Sequence, residues 1–295
     1  MGNFTLRQLK YFDALTRQGH FGRAADASAI SQPALSLQIA ALEESFGTPL
    51  FERGARAVRL TAFGEEIAER VRSILRAADE LADVVRAAQD GAAGRLRLGI
   101  IPTIAPYLLP DILAKLGAEF PKLDVHVRET LTNRLIADLH DGKLDAAIVA
   151  LPVSEPSLAE VALFDENLLL VRAKTARNEP VPDAASLSGM RLLLLEEGHC
   201  FRDQALSFCG LDSKRDGLEG SSLSTLVQMA AAGMGVTFIP QMARAVETRA
   251  APVNVVDMGP GGPQRTVGMV WRKSSPMADQ LGDIAQAVRS AAQSA

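Results

Sequence analysis

The chain has 295 residues, 47% hydrophobic and 22% charged. That is the composition of an ordinary globular protein with enough length for about two domains, each with its own core. No apolar run approaches the roughly 18 residues of a membrane span, and the start Met1-Gly2-Asn3-Phe4-Thr5 lacks the basic head and apolar body of a signal peptide. The expectation is a cytoplasmic protein that meets no membrane. A net charge of -4 speaks against nucleic acid when read globally, but residues 1–60 hold seven basic against five acidic side chains. A mildly basic head on an acidic body suggests that only the head meets an anion.

In the head, Thr5 and Gln8 have the spacing of a capping box, and Leu6, Leu9, Phe12 and Leu15 follow at helical intervals until Gly19. A short second helix is predicted over about Gly22 to Ser28, and a third from Ser31-Gln32-Pro33, where proline is tolerated in the first turn. Leu35, Ile39, Leu42 and Phe46 form one buried stripe that ends at Gly47. Pro33, Ser36, Leu37 and Ala40 turn the other way, with Gln32 at the tip. This face is small, neutral and partly apolar rather than charged. Such a face can enter a major groove, where Gln and Ser bond base edges and Leu meets a thymine methyl. Packing against another protein helix is the alternative. Residues 51–60 then read as strand-turn-strand carrying Arg53, Arg56 and Arg59, a wing able to grip phosphates or enter a minor groove.

From Thr61 a long helix opens in which Phe63, Ile67, Val71, Ile74, Ala78, Leu81 and Val85 recur at four- and three-residue spacings. A second copy of the same helix is the simplest cover for so long a seam, with packing on the chain's own body as the alternative. Residues 89–94 break the helix and serve as a hinge. The domain plan is therefore a winged helix-turn-helix over 1–60, a linker and dimerisation helix with its hinge over 61–94, and a regulatory body over 95–295.

Beyond residue 95 the pattern alternates. Strand-like runs lie at 96–101, 125–128, 146–151, 168–171, 192–195, 236–239, 253–256 and 267–271, with helices at 107–120, 131–141, 223–234 and 278–291. This predicts an α/β body of two lobes with a ligand cleft at the carboxyl ends of the strands. Thr103 and Thr132 fall at such strand ends, each able to orient a small polar ligand or to cap a helix, and capping is the plainer role for either.

Cys200 and Cys209 are the only cysteines. Cytosolic thiols are kept reduced, so such a pair points to catalysis, redox sensing or metal binding rather than to a staple. The reactive form of cysteine is the thiolate, which neighbouring positive groups favour, and His199 and Arg202 flank Cys200. Cys209 follows the apolar Phe208. The asymmetry fits an attacking and a resolving thiol, while burial of both as small hydrophobes stays open. A zinc site with His199 lacks the short cysteine spacing and a fourth ligand, so no metal and no cofactor are expected.

Ser31-Gln32-Pro33-Ala34-Leu35-Ser36 with Gln38-Ile39 and Leu42-Glu43, then Gly47 and Pro49-Leu50-Phe51-Glu52-Arg53, resembles the DNA-binding region of LysR-type transcriptional regulators. Within that family, residues 198–209, Ile101-Pro102-Thr103 and Pro106-Tyr107-Leu108-Leu109-Pro110 are similar to the peroxide-sensing members, and the likeness covers essentially the whole chain. The resemblance implies a periplasmic-binding-protein-like regulatory domain, with DNA contacts from Gln32, Pro33, Ser36, Leu37, Gln38, Arg53, Arg56 and Arg59. It implies Cys200 as the peroxidatic and Cys209 as the resolving cysteine, with Thr103, Thr132, His199, Arg202, Asp203 and Arg272 around a hydrogen peroxide pocket. Its partners would be promoter DNA, RNA polymerase and three further copies in a homotetramer built as a dimer of dimers, and the protein would be a transcriptional activator, not an enzyme. Phe201 stands where that resemblance leads one to expect leucine. A family member answering a metabolite in the cleft, and a thiol peroxidase, are the competing readings; the head gives an enzyme nothing to do.

Overall fold

The computed structural model describes residues 4–52, 58–90, 94–211 and 218–294, and at 76, 79, 80, 82–90 and 294 the backbone alone. Chain contacts divide it into two compact units, Met1–Val85 and Arg86–Ala295.

In the first unit the helices are α1 (Leu6–Gln18), α2 (Phe21–Ala27), α3 (Gln32–Phe46) and α4 (Ala62–Asp90). Their boundaries follow from local chemistry. The Thr5–Gln8 capping box forms, and Gly19 and Gly47 close α1 and α3 with φ of 60° and 69°, a left-handed conformation that glycine enters without a Cβ penalty. Ser31 caps α3. The Glu43 carboxylate accepts from the Leu50 and Phe51 amides at 2.7 and 3.2 Å, which docks the chain leaving α3. Thr61 caps α4 through the Gly64 amide, and Gly64 is required there because a Cβ would stand 2.2 Å from the Leu50 carbonyl oxygen. Leu9, Phe12, Leu15, Leu35, Ile39, Leu42 and Leu50 form the core.

The seam of α4 is shared between two covers. Val71 is buried and Phe63 and Ile67 pack on the core of the head, so the expectation that a second copy covers the whole seam is corrected over its first two turns. Farther along, Ile74 and Leu81 are 42% and 65% exposed. The side chain of Val85 lies outside the described residues, as do residues 91–93 of the expected hinge and 53–57 of the wing, Arg53 and Arg56 included. Phe51 and Leu60 do form the antiparallel bridge that begins the wing.

The second unit is a mixed α/β body. In chain order it contains β1 (Arg95–Ile100), α5 (Ala105–Glu119), β2 (Asp124–Glu129), α6 (Thr132–His140), β3 (Ala146–Leu151), β4 (Leu158–Ala173), α7 (Ala184–Gly189), β5 (Leu193–Leu195), α8 (Cys200–Phe208), β6 (Leu218–Gly220), α9 (Leu223–Ala231), β7 (Thr237–Pro240), α10 (Arg244–Glu247), β8 (Val253–Val256), β9 (Gln264–Arg272) and α11 (Ala278–Ser294). The main sheet runs β2-β1-β3-β9-β4-β7, with β8 also on β4. β5 and β6 pair in parallel, and one bridge from Leu192 to Val236 ties them to the β7 edge. Two separate cores result, one under β1, β3 and α5, the other under β5, β7 and α9. These are the two lobes.

The 16-residue β4 serves both lobes, pairing with β9 over 158–167 and with β7 and β8 beyond Leu168. Only 168–171 of it was expected as strand. A bulge between Ala162 and Phe164 shifts the phase of the alternation, so the first half shows no constant period of two from which to recognise it.

Candidate functional site

The segment 198–201 lies where the lobes meet. The Cys200 side chain packs against the core of the first lobe, whereas Phe201 and Cys209, on the same stretch of chain, belong to the core of the second. Gly198 has φ +94°, and a Cβ there would meet Leu131 Cδ1 at 3.1 Å. That contact sets the residues before Cys200 against the start of α6, where Thr132 is the first residue. Phe201 in turn lies against Arg265, which holds Thr103. The 198–201 segment is thus contacted on one side by the neighbour of Thr132 and on the other by the partner of Thr103.

Neither threonine caps a helix. The N-cap of α5 is Ile104 and that of α6 is Leu131, both without a side-chain cap bond. Buried Thr103 accepts from Arg265 Nη1 at 2.8 Å through its hydroxyl and from Nη2 at 3.0 Å through its carbonyl. A hydroxyl that accepts keeps its own proton to donate. Thr132 Oγ1 is buried with no hydrogen-bond partner, an arrangement that costs about 1–3 kcal/mol and that native proteins keep mainly at sites with a use for it. Gln204, one helical turn after Cys200 and therefore on the same face of α8, has a buried Oε1 that also lacks a partner.

Arg265 was not foreseen. Its guanidinium pairs with Glu166 Oε1, with Nε at 2.7 Å and Nη2 at 2.6 Å, and both side chains are buried. Expected in its place was Arg272, which donates from Nη1 to the carbonyls of Leu139 and Leu144 at the far end of α6. Two spacings exclude Arg272 from the cluster. The nine-residue α6 puts its C-terminus about 12 Å from Thr132, and seven strand residues carry Arg272 about 23 Å from Arg265 onto the opposite face of β9. Arg272 belongs to the fold of the first lobe. A buried arginine at the polar start of a strand, between Gln264 and Thr266, has no periodic signature that would have revealed it.

Three further expectations change. Arg202 is buried and donates from Nη1 to the Leu195 carbonyl at 3.0 Å and to Glu219 Oε1 at 2.7 Å, so it fastens α8 to β5 and β6 instead of standing as a bare cation beside the thiol. Asp203 faces solvent. His199 is half-buried, and burial pushes its pKa below the usual histidine value, partly opposed by Glu196. The neutral ring is favoured, which removes the expected imidazolium field and leaves a hydrogen-bonding group.

Cys200 and Cys209 are both free thiols. Helix α8 runs from Cys200 through Phe208 with Cys209 as its C-cap, so nine residues of helical rise separate their Cα atoms by roughly 13 Å. A disulfide tolerates no more than about 7 Å. Among the described residues no group of three or more His, Cys, Asp or Glu side chains could hold a metal ion. A separate cleft of about 960 Å3 near the lobe junction is lined by Tyr107, Asp165, Met242 and Arg244 among others, and not by Cys200.

In the head, Gln32, Pro33, Ser36 and Leu37 are exposed, Leu37 by 69%, while Gln38 is half-buried. Arg59 is exposed on the bridge strand of the wing.

Comparison with known proteins accounts for both units. Residues 6–65 match the model of the bacterial regulatory helix-turn-helix protein, lysR family, and residues 89–293 match the LysR substrate binding domain. The chain is 40% identical over 290 residues to the DNA-binding transcriptional dual regulator OxyR of Escherichia coli K12, covering 96% of this chain and 94% of that one. Among solved structures, a full-length OxyR cysteine-to-aspartate variant from Pseudomonas aeruginosa is similar with a TM-score of 0.75 at 35% identity, covering 98% and 96% of the two chains. A hydrogen-peroxide-bound cysteine-to-serine variant of Corynebacterium glutamicum OxyR gives 0.66 at 35% identity, covering 98% and 93%.

Proposed function

The chain belongs to the LysR family of bacterial transcriptional regulators, and from that premise we propose that it senses hydrogen peroxide through Cys200 and answers by changing how it engages promoter DNA. One observation carries the reading. The thiol that begins one short helix packs against the first lobe and the thiol that ends it lies in the core of the second, and the segment around the first is contacted by the neighbour of Thr132, whose buried hydroxyl lacks a partner, and by the arginine that holds Thr103. Relatives named OxyR or hydrogen peroxide-inducible genes activator support it.

In the proposed chemistry, peroxide is held by Thr103, Thr132, His199 and Gln204. The sulfur of Cys200 sits in the first turn of α8, at the helix end that favours negative charge. Its thiolate attacks one peroxide oxygen, so that the S–O bond forms as the O–O bond breaks, and the departing hydroxide takes a proton and leaves as water. The thiolate of Cys209 then attacks the sulfenic sulfur and a second water departs, giving the disulfide. Arg265 positions Thr103. Arg202, Asp203 and Arg272 are left out of this pocket. The DNA contacts are assigned to Gln32, Pro33, Ser36, Leu37 and Arg59, with Gln38 at the edge of the face, and the assembly to a homotetramer that works with RNA polymerase.

Free thiols titrated before and after one equivalent of peroxide test the assignment. The native chain should lose both thiols. Cys200→Ser should lose none, and Cys209→Ser should lose one and yield a sulfenic acid that dimedone traps. Equal loss from the two variants would contradict the assigned roles.

A further inference from the structure

Phe201 does more than fill the core behind Cys200. Its ring centroid lies 5.6 Å from Cζ of Arg265, and both side chains are buried. The rim of that guanidinium is committed to Glu166 and Thr103 through Nε, Nη1 and Nη2. Four of its five N–H groups are engaged in this way, and the charged carbon between them lies over the Phe201 ring, a desolvated cation–π contact. An aliphatic side chain could fill the same volume, but it has no quadrupole to offer the cation.

Phe201 is bonded directly to Cys200. The two cysteines cannot approach while α8 is wound, so closing the disulfide must displace the residue next to the reacting sulfur. The ring–guanidinium contact therefore belongs to the dithiol state.

We infer that Phe201 is a positioning residue which, through the face of Arg265, stabilises the reduced state and raises the reduction potential of the Cys200–Cys209 couple. The inference rests on the proposed disulfide. Its balance is explicit: the two thiols give two electrons and two protons to oxidised glutathione, so that one protein S–S bond and two glutathione thiols appear as one glutathione S–S bond breaks.

The test equilibrates the full chain with glutathione buffers of stepped ratio and reads its free thiols after acid quenching. Phe201→Leu should favour the disulfide by roughly ten-fold in the equilibrium constant, a midpoint about 30 mV more negative for a two-electron couple. Phe201→Tyr, which keeps the ring face, should restore the native midpoint.

Loss of core packing alone could also destabilise the wound helix. The same pair is therefore compared in an Arg265→Gln, Glu166→Gln background, where an amide pair replaces the ion pair and leaves no lone buried charge. The effect of Phe201→Leu should vanish there if the ring acts through the cation. A Phe201→Leu midpoint equal to the native one, or a shift that persists undiminished in the amide background, overturns the inference. Absence of any disulfide in the native chain at every ratio overturns the underlying peroxide-switch reading instead, and that outcome is visible before the variants are compared.

Discussion

Thr132 isolates what a single residue contributes to the pocket. A buried hydroxyl without a partner is destabilising, and an isosteric methyl has no such demand. Thr132→Val should therefore leave the thermal midpoint unchanged or raise it, while slowing oxidation of Cys200 in the Cys209→Ser background by about 10- to 100-fold, the worth of one hydrogen bond to an oxygen that gains charge. Stopped-flow thiol loss and a melting curve measured together decide it. A lower midpoint with an unchanged rate would make the hydroxyl structural. Other side chains at this scale divide according to how far sequence can reach. Cysteine count and spacing were visible, and so were the two threonines, because each is tied to its position in the chain. The exchange of Arg272 for Arg265 was not, because which of two arginines on one strand turns toward the cleft depends on the register of β9 against β4. The neutral ring of His199 escaped for a related reason: burial, which dominates its shift, is a property of the packed lobes.

Among the elements, α8 is the one that the proposed disulfide would have to unwind. Nine residues make an isolated helix only marginal in water, so this one is wound because Phe201, Ala205 and Leu206 are buried in the second lobe and Arg202 holds Leu195 and Glu219. Its inward spacing of Phe201, Ala205 and Phe208 was legible in the sequence, with Phe208 meeting Phe238 edge-on at 6.0 Å. Shorter or phase-shifted elements were not: β6 has three residues and the first half of β4 is broken by its bulge. A second tie acts on the lobe as a whole. Tyr107 of α5 packs against the other lobe's core and donates to Glu247 Oε1 at 2.6 Å, whose second oxygen accepts from Ser224. Burial and that carboxylate hold the phenol well above its ordinary pKa, so it remains a donor at any physiological pH. With the lobes tied there, closing the proposed disulfide should unwind α8 before it parts the lobes. Amide exchange across 201–209 should accelerate on oxidation, while exchange in β4 and β9 stays as it was. Identical exchange in the two redox states would leave the thiol chemistry standing but remove helix unwinding as its consequence.

At the scale of the whole molecule, the question is what makes one head into several. Ile74 and Leu81 stand seven residues apart on α4, exposed by 42% and 65%, and the turns before them are already covered by their own head. Two large apolar side chains repeated at a heptad interval on an exposed helix are what a seam for a second copy would present, and the proposed assembly places it there. Because they contribute nothing to the core of the head, Ile74→Glu with Leu81→Glu should leave its melting temperature unchanged and still shift the protein toward monomer in sedimentation. Binding to DNA then follows by arithmetic. The slope of log affinity against log salt counts the phosphates neutralised, so halving the heads that bind together should roughly halve the slope. Arg59→Ala, by contrast, should trim the slope by about one for each head without changing assembly or sequence preference. Gln32→Ala or Ser36→Ala should leave the slope alone and relax preference by about 1–3 kcal/mol at one base pair. If the α4 double variant remains associated and keeps its full salt dependence, the seam lies elsewhere, and the long helix is only a spacer between the head and the sensing body.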